Sequence, residues 1–171
     1  DPQITPIDVD LNWGRYQKQI GTAHSLAPHD VSIIHYLLGY HEFENIMCIG
    51  ENFTENKQND REEYFFICNG VSVKFNLSWY YPEKVRTMSI TGDKGLIFWD
   101  EENKTIKLTT ETWKDGRMNY EPNVETFYID SNPLRNELKE FVECVSAKRT
   151  PLTDVDNAIE VAKNLDLLKG F

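Results

Sequence analysis

Strict alternation of apolar and polar residues marks the middle of the chain. Within residues 71–79 every odd-numbered position is apolar and every even-numbered position is polar. Because successive side chains of a strand point to opposite faces, this pattern predicts a half-buried strand. Asn69-Gly70 just before it is typical of a two-residue hairpin turn, since both turn positions need positive φ. An antiparallel pair of strands is therefore expected here.

Two further turn signals follow this hairpin. Residues 92–95 and 100–103 are rich in Gly, Asp and Asn, which dominate tight turns. They separate three short strand-like runs, at residues 85–91, 95–99 and 105–109. We therefore expect a meander, and roughly five or more strands in all between residues 43 and 129.

Helical spacing replaces this alternation near the start of the chain. Ser25 is positioned to cap a helix, with Pro28 in its first turn and Gly39 as its stop. The apolar residues at helical spacing are Ile33, Ile34, Leu37 and Leu38. This helix is expected to pack one face on a core.

Two more helices are predicted at the end of the chain. Asn132 and Pro133 form a cap and first residue, and residues 153–156 form a capping-box pattern with Asp in place of Glu. Their apolar stripes are Leu134, Leu138, Phe141, Val142 and Val145, then Val155, Ile159, Ala162, Leu165 and Leu168. A helix, consecutive strands and then helices predict an α+β fold, which we take as one domain over residues 1–171.

Charge narrows the classes of partner. The 171 residues carry 18 Lys and Arg against 28 Asp and Glu, a net charge of −10. A chain this acidic is repelled by phosphate backbones and by anionic membrane surfaces. We therefore expect neither nucleic acid nor a membrane as a partner.

The cysteines indicate the compartment. Cys48, Cys68 and Cys144 are odd in number, widely spaced and set among apolar residues. That pattern predicts three buried, reduced thiols rather than disulfides or a zinc site. The chain also shows no basic and apolar leader and no uncharged apolar run of membrane-spanning length. We expect a cytoplasmic protein.

Ser25 and His29 are the most informative pair for chemistry. They are four residues apart at a predicted helix start, so they project from one face and can touch. The positive end of the helix dipole disfavours imidazolium, which would leave His29 neutral and able to accept a proton. Spacing alone also allows a histidine that merely packs at a helix start.

Other features carry weaker signals. His24, His29 and Asp30 do not form a specific metal-binding pattern, and we predict no metal site. The chain contains no glycine-rich dinucleotide or phosphate loop and no serine-hydrolase or zinc-protease motif. The acidic residues at 62–63 and 100–102 are expected to be solvated surface at loops or turns.

Aromatic residues follow the clearest strand. Trp79 continues the apolar alternation and is expected to pack on the sheet, whereas Tyr80 and Tyr81 could equally stack on a sugar or face a subunit. Arg86 could clamp a carboxylate or phosphate, or lie solvated on a strand. Tyr80, Tyr81 and Arg86 are therefore possible substrate contacts.

The chain resembles the C-terminal domain of the glucose-fructose oxidoreductase, inositol dehydrogenase and MocA family (Gfo/Idh/MocA). The segments that carry the resemblance, in family order, are residues 25–39, 78–79, 82–86, 90–92, 95–100, 140–145 and 151–154. The phrase Leu-Ala-Pro-His-Asp at 26–30 is most similar to members that act on nucleotide-linked sugars.

The resemblance implies a large, mostly antiparallel sheet with helices on one face and the other face available for homo-oligomers. It also implies an N-terminal Rossmann domain that binds NAD or NADP, which these residues lack. We therefore expect the intact protein to use that cofactor, and this chain alone to bind none and to be inactive.

In the family pattern an Asp-x-x-x-His helix supplies the acid/base His. His29 matches the His, but Ser25 stands at the Asp position, which removes a carboxylate that would orient and charge-stabilise the imidazolium. The resemblance thus implies part of an NAD(P)-dependent oxidoreductase acting on a sugar or sugar-nucleotide. The alternative is a non-catalytic assembly or sugar-binding module.

Overall fold

A computed structural model describes residues 21–53, 59–81, 83–114 and 116–169. Three helices and nine strands lie in this part of the chain. The helices are α1 (Thr22–Leu38), α2 (Pro133–Ala147) and α3 (Val155–Leu168). The strands are β1 (Glu44–Glu51), β2 (Arg61–Cys68), β3 (Val71–Ser78), β4 (Thr87–Gly92), β5 (Gly95–Asp100), β6 (Thr105–Thr110), β7 (Trp113–Lys114), β8 (Arg117–Met118) and β9 (Asn123–Tyr128). Every strand pair described is antiparallel, which confirms the α+β prediction.

The described chain forms two compact units. The first takes in the chain up to Tyr80 and again from Thr150, and the second runs from Tyr81 to Arg149. The strands divide into a sheet β1-β2-β3, a sheet β4-β5-β6-β9 and the small hairpin β7-β8. A single domain over residues 1–171 stays a prediction.

The first unit holds the hydrophobic core. Alternate residues of β2 from Glu62 to Cys68 are buried, and Phe75 and Leu77 of β3 lie buried on the same face. Helix α1 covers this face with its own buried stripe, and α3 packs against α1. The predicted alternation in β3 is confirmed, because its two buried residues, Phe75 and Leu77, both occupy odd-numbered positions.

The Asn-Gly hairpin is also confirmed. Asn69 and Gly70 have φ of 50° and 73°, and Cys68 pairs with Val71 across the turn. Added atoms at Gly70 would meet nothing within 4 Å, so conformation rather than space favours glycine there.

The meander belongs to the second unit, which also contains β7, β8 and α2. Strands β4, β5 and β6 follow the predicted turns to within one or two residues, and β9 joins the edge of β6. The register places one apolar face on this sheet, made of Met88, Ile90, Ile97, Trp99, Ile106, Leu108 and Phe127. None of these seven side chains is buried.

Two helix starts differ from the prediction. Helix α1 begins at Thr22 with Gly21 as its N-cap, so Ser25 is not the cap and Pro28 lies inside the helix. Helix α3 is capped by Asp154, whose Oδ1 accepts the Asn157 N–H at 2.9 Å, one residue later than the box at 153–156 suggested. The α2 cap is as expected, since Asn132 Oδ1 accepts the Arg135 N–H at 3.1 Å.

The apolar stripes of the last two helices differ in burial. The five stripe residues of α2 are 57–66% exposed, so no described residue covers that face. In α3, Leu165 and Leu168 are buried, whereas Val155 and Ile159 at its start are exposed. The apolar contacts of α3 with the core therefore begin at Val161, and the buried residue of its first turn is the polar Asn157.

This difference along α3 predicts a difference in stability. Leu168 is 0% exposed, so Leu168→Ala should lower the free energy of unfolding by about 2–5 kcal/mol, as for other buried leucines. Val155→Ala, at 70% exposure on the same helix, should change it by less than about 0.5 kcal/mol. Urea denaturation measures both, and equal effects would contradict the packing described for α3.

Candidate active site

Helix α1 presents Ser25 and His29 on the side away from the core. Its buried residues are Thr22, Ala23, Ala27, Val31 and His35. His29 is exposed and Ser25 is half-buried, so the predicted shared face exists and its histidine is open to solvent. Within the described residues no hydrogen bond joins the Ser25 hydroxyl to the His29 ring.

The early start of α1 changes the electrostatics expected for His29. His29 lies roughly two turns from Thr22, and the helix dipole acts mainly within the first turn. The dipole of α1 therefore exerts little of the effect predicted for it on the His29 ring. Pro28 has no N–H, so the helical hydrogen bond that residue 28 would donate to the His24 carbonyl is missing. This gap lies in the turn of α1 that carries Ser25 and His29.

The start of α1 is held by Glu62, a buried residue of β2. One carboxylate oxygen, Oε2, accepts the Thr22 hydroxyl and, at 2.9 Å, the Ala23 N–H. The other oxygen, Oε1, accepts from Asn59 Nδ2 at 3.3 Å. A carboxylate here satisfies the Ala23 N–H, which has no partner within the helix, and it complements the positive end of the dipole.

The expectation that residues 62–63 are solvated loop surface was wrong. Both lie in β2, where Glu62 points to the core and Glu63 to the opposite face. Glu63 lies 2.6 Å from Arg61 and 3.0 Å from Lys74. The hydrogen bond from the Lys74 ammonium, with further support from Arg61, lowers the pKa of Glu63.

Tyr64 and Cys48 extend the polar cluster under α1. Tyr64 is 1% exposed and forms hydrogen bonds with both Glu62 and Cys48. Burial, followed by the nearby Glu62 charge, raises the pKa of the Tyr64 phenol. Burial likewise raises the pKa of the Cys48 thiol, so this cluster supports the helix rather than offering a thiolate nucleophile.

Each predicted substrate contact has a defined place within its own unit. Tyr80 follows β3 in the first unit, where its ring meets Phe53 edge-on at 5.2 Å. Tyr81 and Arg86 belong to the second unit. Tyr81 is exposed, whereas Arg86 lies over the Trp99 ring at 5.9 Å with Nε 4.0 Å from Glu101. Arg86 is therefore already engaged by an aromatic ring and an acid.

Sequence reasoning found Ser25 and His29 but missed Glu62. A glutamate two residues before Tyr64 and four before Phe66, on the same face of one strand, is the signal that could have indicated a buried carboxylate.

Among the described residues no group of three or more His, Cys, Asp or Glu is arranged to hold a metal. His24 faces α3, with Nε2 3.9 Å from Asp166 Oδ1.

The described residues do not fit a dinucleotide bound in the Rossmann manner. That site needs parallel strands joined through a helix, with the pyrophosphate at the helix N-terminus. All pairing described here is antiparallel, and the start of α1 is occupied by Glu62. No nicotinamide step is therefore assigned to these residues.

None of the described helices is both long and apolar enough to cross a membrane.

Solved structures share this fold. UDP-N-acetylglucosamine 3-dehydrogenase GnnA from Acidithiobacillus ferrooxidans aligns with a TM-score of 0.72 at 18% identity, over 87% of this chain and 46% of that one. A dehydrogenase (MviM) from Clostridium difficile gives 0.64 at 12% identity, over 90% and 49%. The 3-ketoreductase KijD10 from Actinomadura kijaniata, solved with TDP-benzene and NADP, gives 0.66 at 11% identity, over 86% and 46%. The chain thus spans about half the length of these proteins.

Sequence comparison identifies the family. No curated protein sequence is significantly similar to the chain. Residues 3–169, however, match the profile described as the oxidoreductase family, C-terminal alpha/beta domain, GFO_IDH_MocA_C. The chain therefore belongs to the Gfo/Idh/MocA oxidoreductase family, as its C-terminal domain.

Proposed function

We propose that this chain is the substrate-binding and subunit-association part of an NAD(P)-dependent oxidoreductase acting on a sugar or sugar-nucleotide. The match of residues 3–169 to the family's C-terminal domain carries the proposal. GnnA, named for a UDP-linked sugar, and KijD10, solved with a TDP compound and NADP, support the substrate class and the cofactor. An N-terminal Rossmann domain of the intact protein is the proposed holder of NAD or NADP.

His29 is the proposed acid/base. Its exposed ring on the free face of α1 can take the proton of a sugar hydroxyl as that carbon is oxidised, and return it in the reverse direction. The nicotinamide would accept or donate the hydride. Tyr80, Tyr81 and Arg86 are proposed to contact the substrate.

Ser25 limits the charge stabilisation of this group. A carboxylate four residues before the histidine would favour imidazolium, and a serine hydroxyl brings no compensating charge. This substitution supports a second candidate, an assembly or sugar-binding module without catalysis. The two candidates share the fold and differ in whether His29 exchanges a proton with substrate.

The apolar face of the β4-β5-β6-β9 sheet is the proposed surface for a second copy. Four strands of six residues cover roughly 400 Å² in projection, about half of the roughly 800 Å² that each partner buries in a standard interface. A stable homo-oligomer would therefore add contacts around this face.

The three free cysteines support a reducing compartment, and we propose the cytoplasm.

Replacing His29 tests the catalytic candidate. In the intact protein, His29→Ala should lower kcat/KM for a nucleotide-linked sugar by about 10²–10⁴-fold, because a positioned general base contributes that much. His24→Ala, on the same helix but directed toward Asp166, should stay within about threefold. Reduced-nicotinamide absorbance measures both rates, and equal activity of wild type and His29→Ala would contradict the role.

Restoring a carboxylate separates the two candidates. Ser25→Asp in the intact protein should raise kcat for the same sugar by about tenfold or more if His29 shuttles a proton, since about 1.4 kcal/mol of added charge stabilisation has that effect. Ser25→Asn, similar in size and uncharged, is the matched control. No gain with any nucleotide-linked sugar would favour the non-catalytic module.

Neighbouring residues of β9 test the association surface. Phe127 is 49% exposed on the apolar face, whereas Thr126 points to the opposite face. Phe127→Glu should raise the dimer dissociation constant by at least about tenfold, because it places a charge in an apolar contact. Thr126→Glu should leave it unchanged. Sedimentation at micromolar concentration measures both, and a strictly monomeric wild type would reject the proposal.

A further inference from the structure

Asn164 of α3 ties the last turn of α1 to the entry of β1. Its Nδ2 lies 2.8 Å from His35 Nε2 and donates to the His41 carbonyl at 2.9 Å, while its Oδ1 accepts the Phe43 N–H at 3.0 Å. His35 and Asn164 are both 3% exposed. Every hydrogen of this amide is therefore used inside the protein.

These contacts select one form of His35. The Phe43 N–H and the His41 carbonyl fix the amide orientation, because oxygen must face the donor and nitrogen must face the acceptor. The NH₂ group then points at His35 Nε2, which must carry a lone pair. His35 is therefore neutral, with its proton on Nδ1, a nitrogen that has no hydrogen-bond partner among the described residues.

Protonated His35 has no compatible arrangement with Asn164. An N–H on Nε2 would face the NH₂ group at a distance suited to a hydrogen bond, with no acceptor between them. Turning the amide over would offer Oδ1 to the imidazolium. It would also direct NH₂ at the Phe43 N–H and oxygen at the His41 carbonyl, so two other bonds would be lost.

We propose that His35 and Asn164 form a pH-sensitive latch, in which protonation of His35 releases α3 from the end of α1 and from residues 39–43. The latch requires neither substrate nor cofactor, so it is independent of the proposed function. Helix α1 also carries His29, so the latch acts on the helix of the candidate site.

The surroundings of His35 favour the closed form. Tyr40 meets its ring edge-on at 5.4 Å, and Phe43 lies at 6.2 Å. Burial lowers the pKa of His35, Glu160 of α3 opposes that shift, and His41 of the connecting loop adds to it. The acidic and basic groups that face the ring are thus Glu160 and His41, with the weakly acidic Tyr40 phenol.

Because burial lowers the pKa of folded His35, acid is expected to lower the free energy of unfolding. Unfolded His35 protonates near pH 6.5, whereas the folded ring protonates only at lower pH. Between these values the unfolded chain holds one more proton, so stability is complete above about pH 6.5 and is lost as pH falls. For one proton, the unfolding equilibrium constant rises by up to tenfold per pH unit within this window.

Urea denaturation of the full chain from pH 8 to pH 5 tests the latch. Gln at position 35 keeps an uncharged side chain with an acceptor and cannot titrate, so His35→Gln should remove up to one tenfold step per pH unit from the acid loss of stability. His29→Gln, an exposed histidine on the same helix, should retain the wild-type slope. A wild-type slope in His35→Gln would overturn the proposal.

A second measurement does not depend on the variant folding. In the wild-type chain, nitrogen NMR shifts of the His35 ring should show the Nδ1–H neutral form at pH 7.5. As the pH falls, protonation of His35 should coincide with loss of hydrogen-exchange protection at the Phe43 amide, after correction for the intrinsic rate. An Nε2–H ring at pH 7.5, or protonation that leaves Phe43 protected, would overturn the latch.

Discussion

The position of α1 depends on one buried carboxylate. Glu62 lies on the core face of β2 and receives the first backbone and hydroxyl donors of the helix. An unpaired charge in that place would be strongly unfavourable, so the helix start and the strand must stay in register. At the other end Asn164 holds the last turn. Two polar contacts on the buried side therefore define the axis along which Ser25 and His29 are displayed.

The elements predicted well from sequence are those set by local chemistry. Asn69-Gly70 forms its hairpin because a type I′ turn needs positive φ at two successive residues, a requirement contained in the dipeptide itself. The alternation at 71–79 and the Asn132-Pro133 start of α2 are local in the same sense. The class of fold follows from the order of such elements, and the family match agrees with it.

The features missed by sequence reasoning depend on distant partners. An acidic pair such as Glu62 and Glu63 predicts solvated surface, and only the helix start 40 residues earlier in the chain makes the burial of Glu62 favourable. The same contact explains why α1 begins at Thr22 rather than near Ser25. The candidate site could be predicted in part, because a spacing of four residues places Ser25 and His29 on one helix face whether α1 begins at Thr22 or near Ser25. Whether that face is covered depends on packing that no local pattern contains.

Within the described residues, the two anchors of α1 lie on its buried side, and its outward face takes no part in either of them. Neither Ser25 nor His29 contributes to the Glu62 or Asn164 contacts, and both lie away from the buried stripe. An exposed residue on that face, such as His29, can therefore be exchanged with little effect on folding. A scaffold arranged in this way allows chemistry and substrate preference to diverge while the architecture is retained.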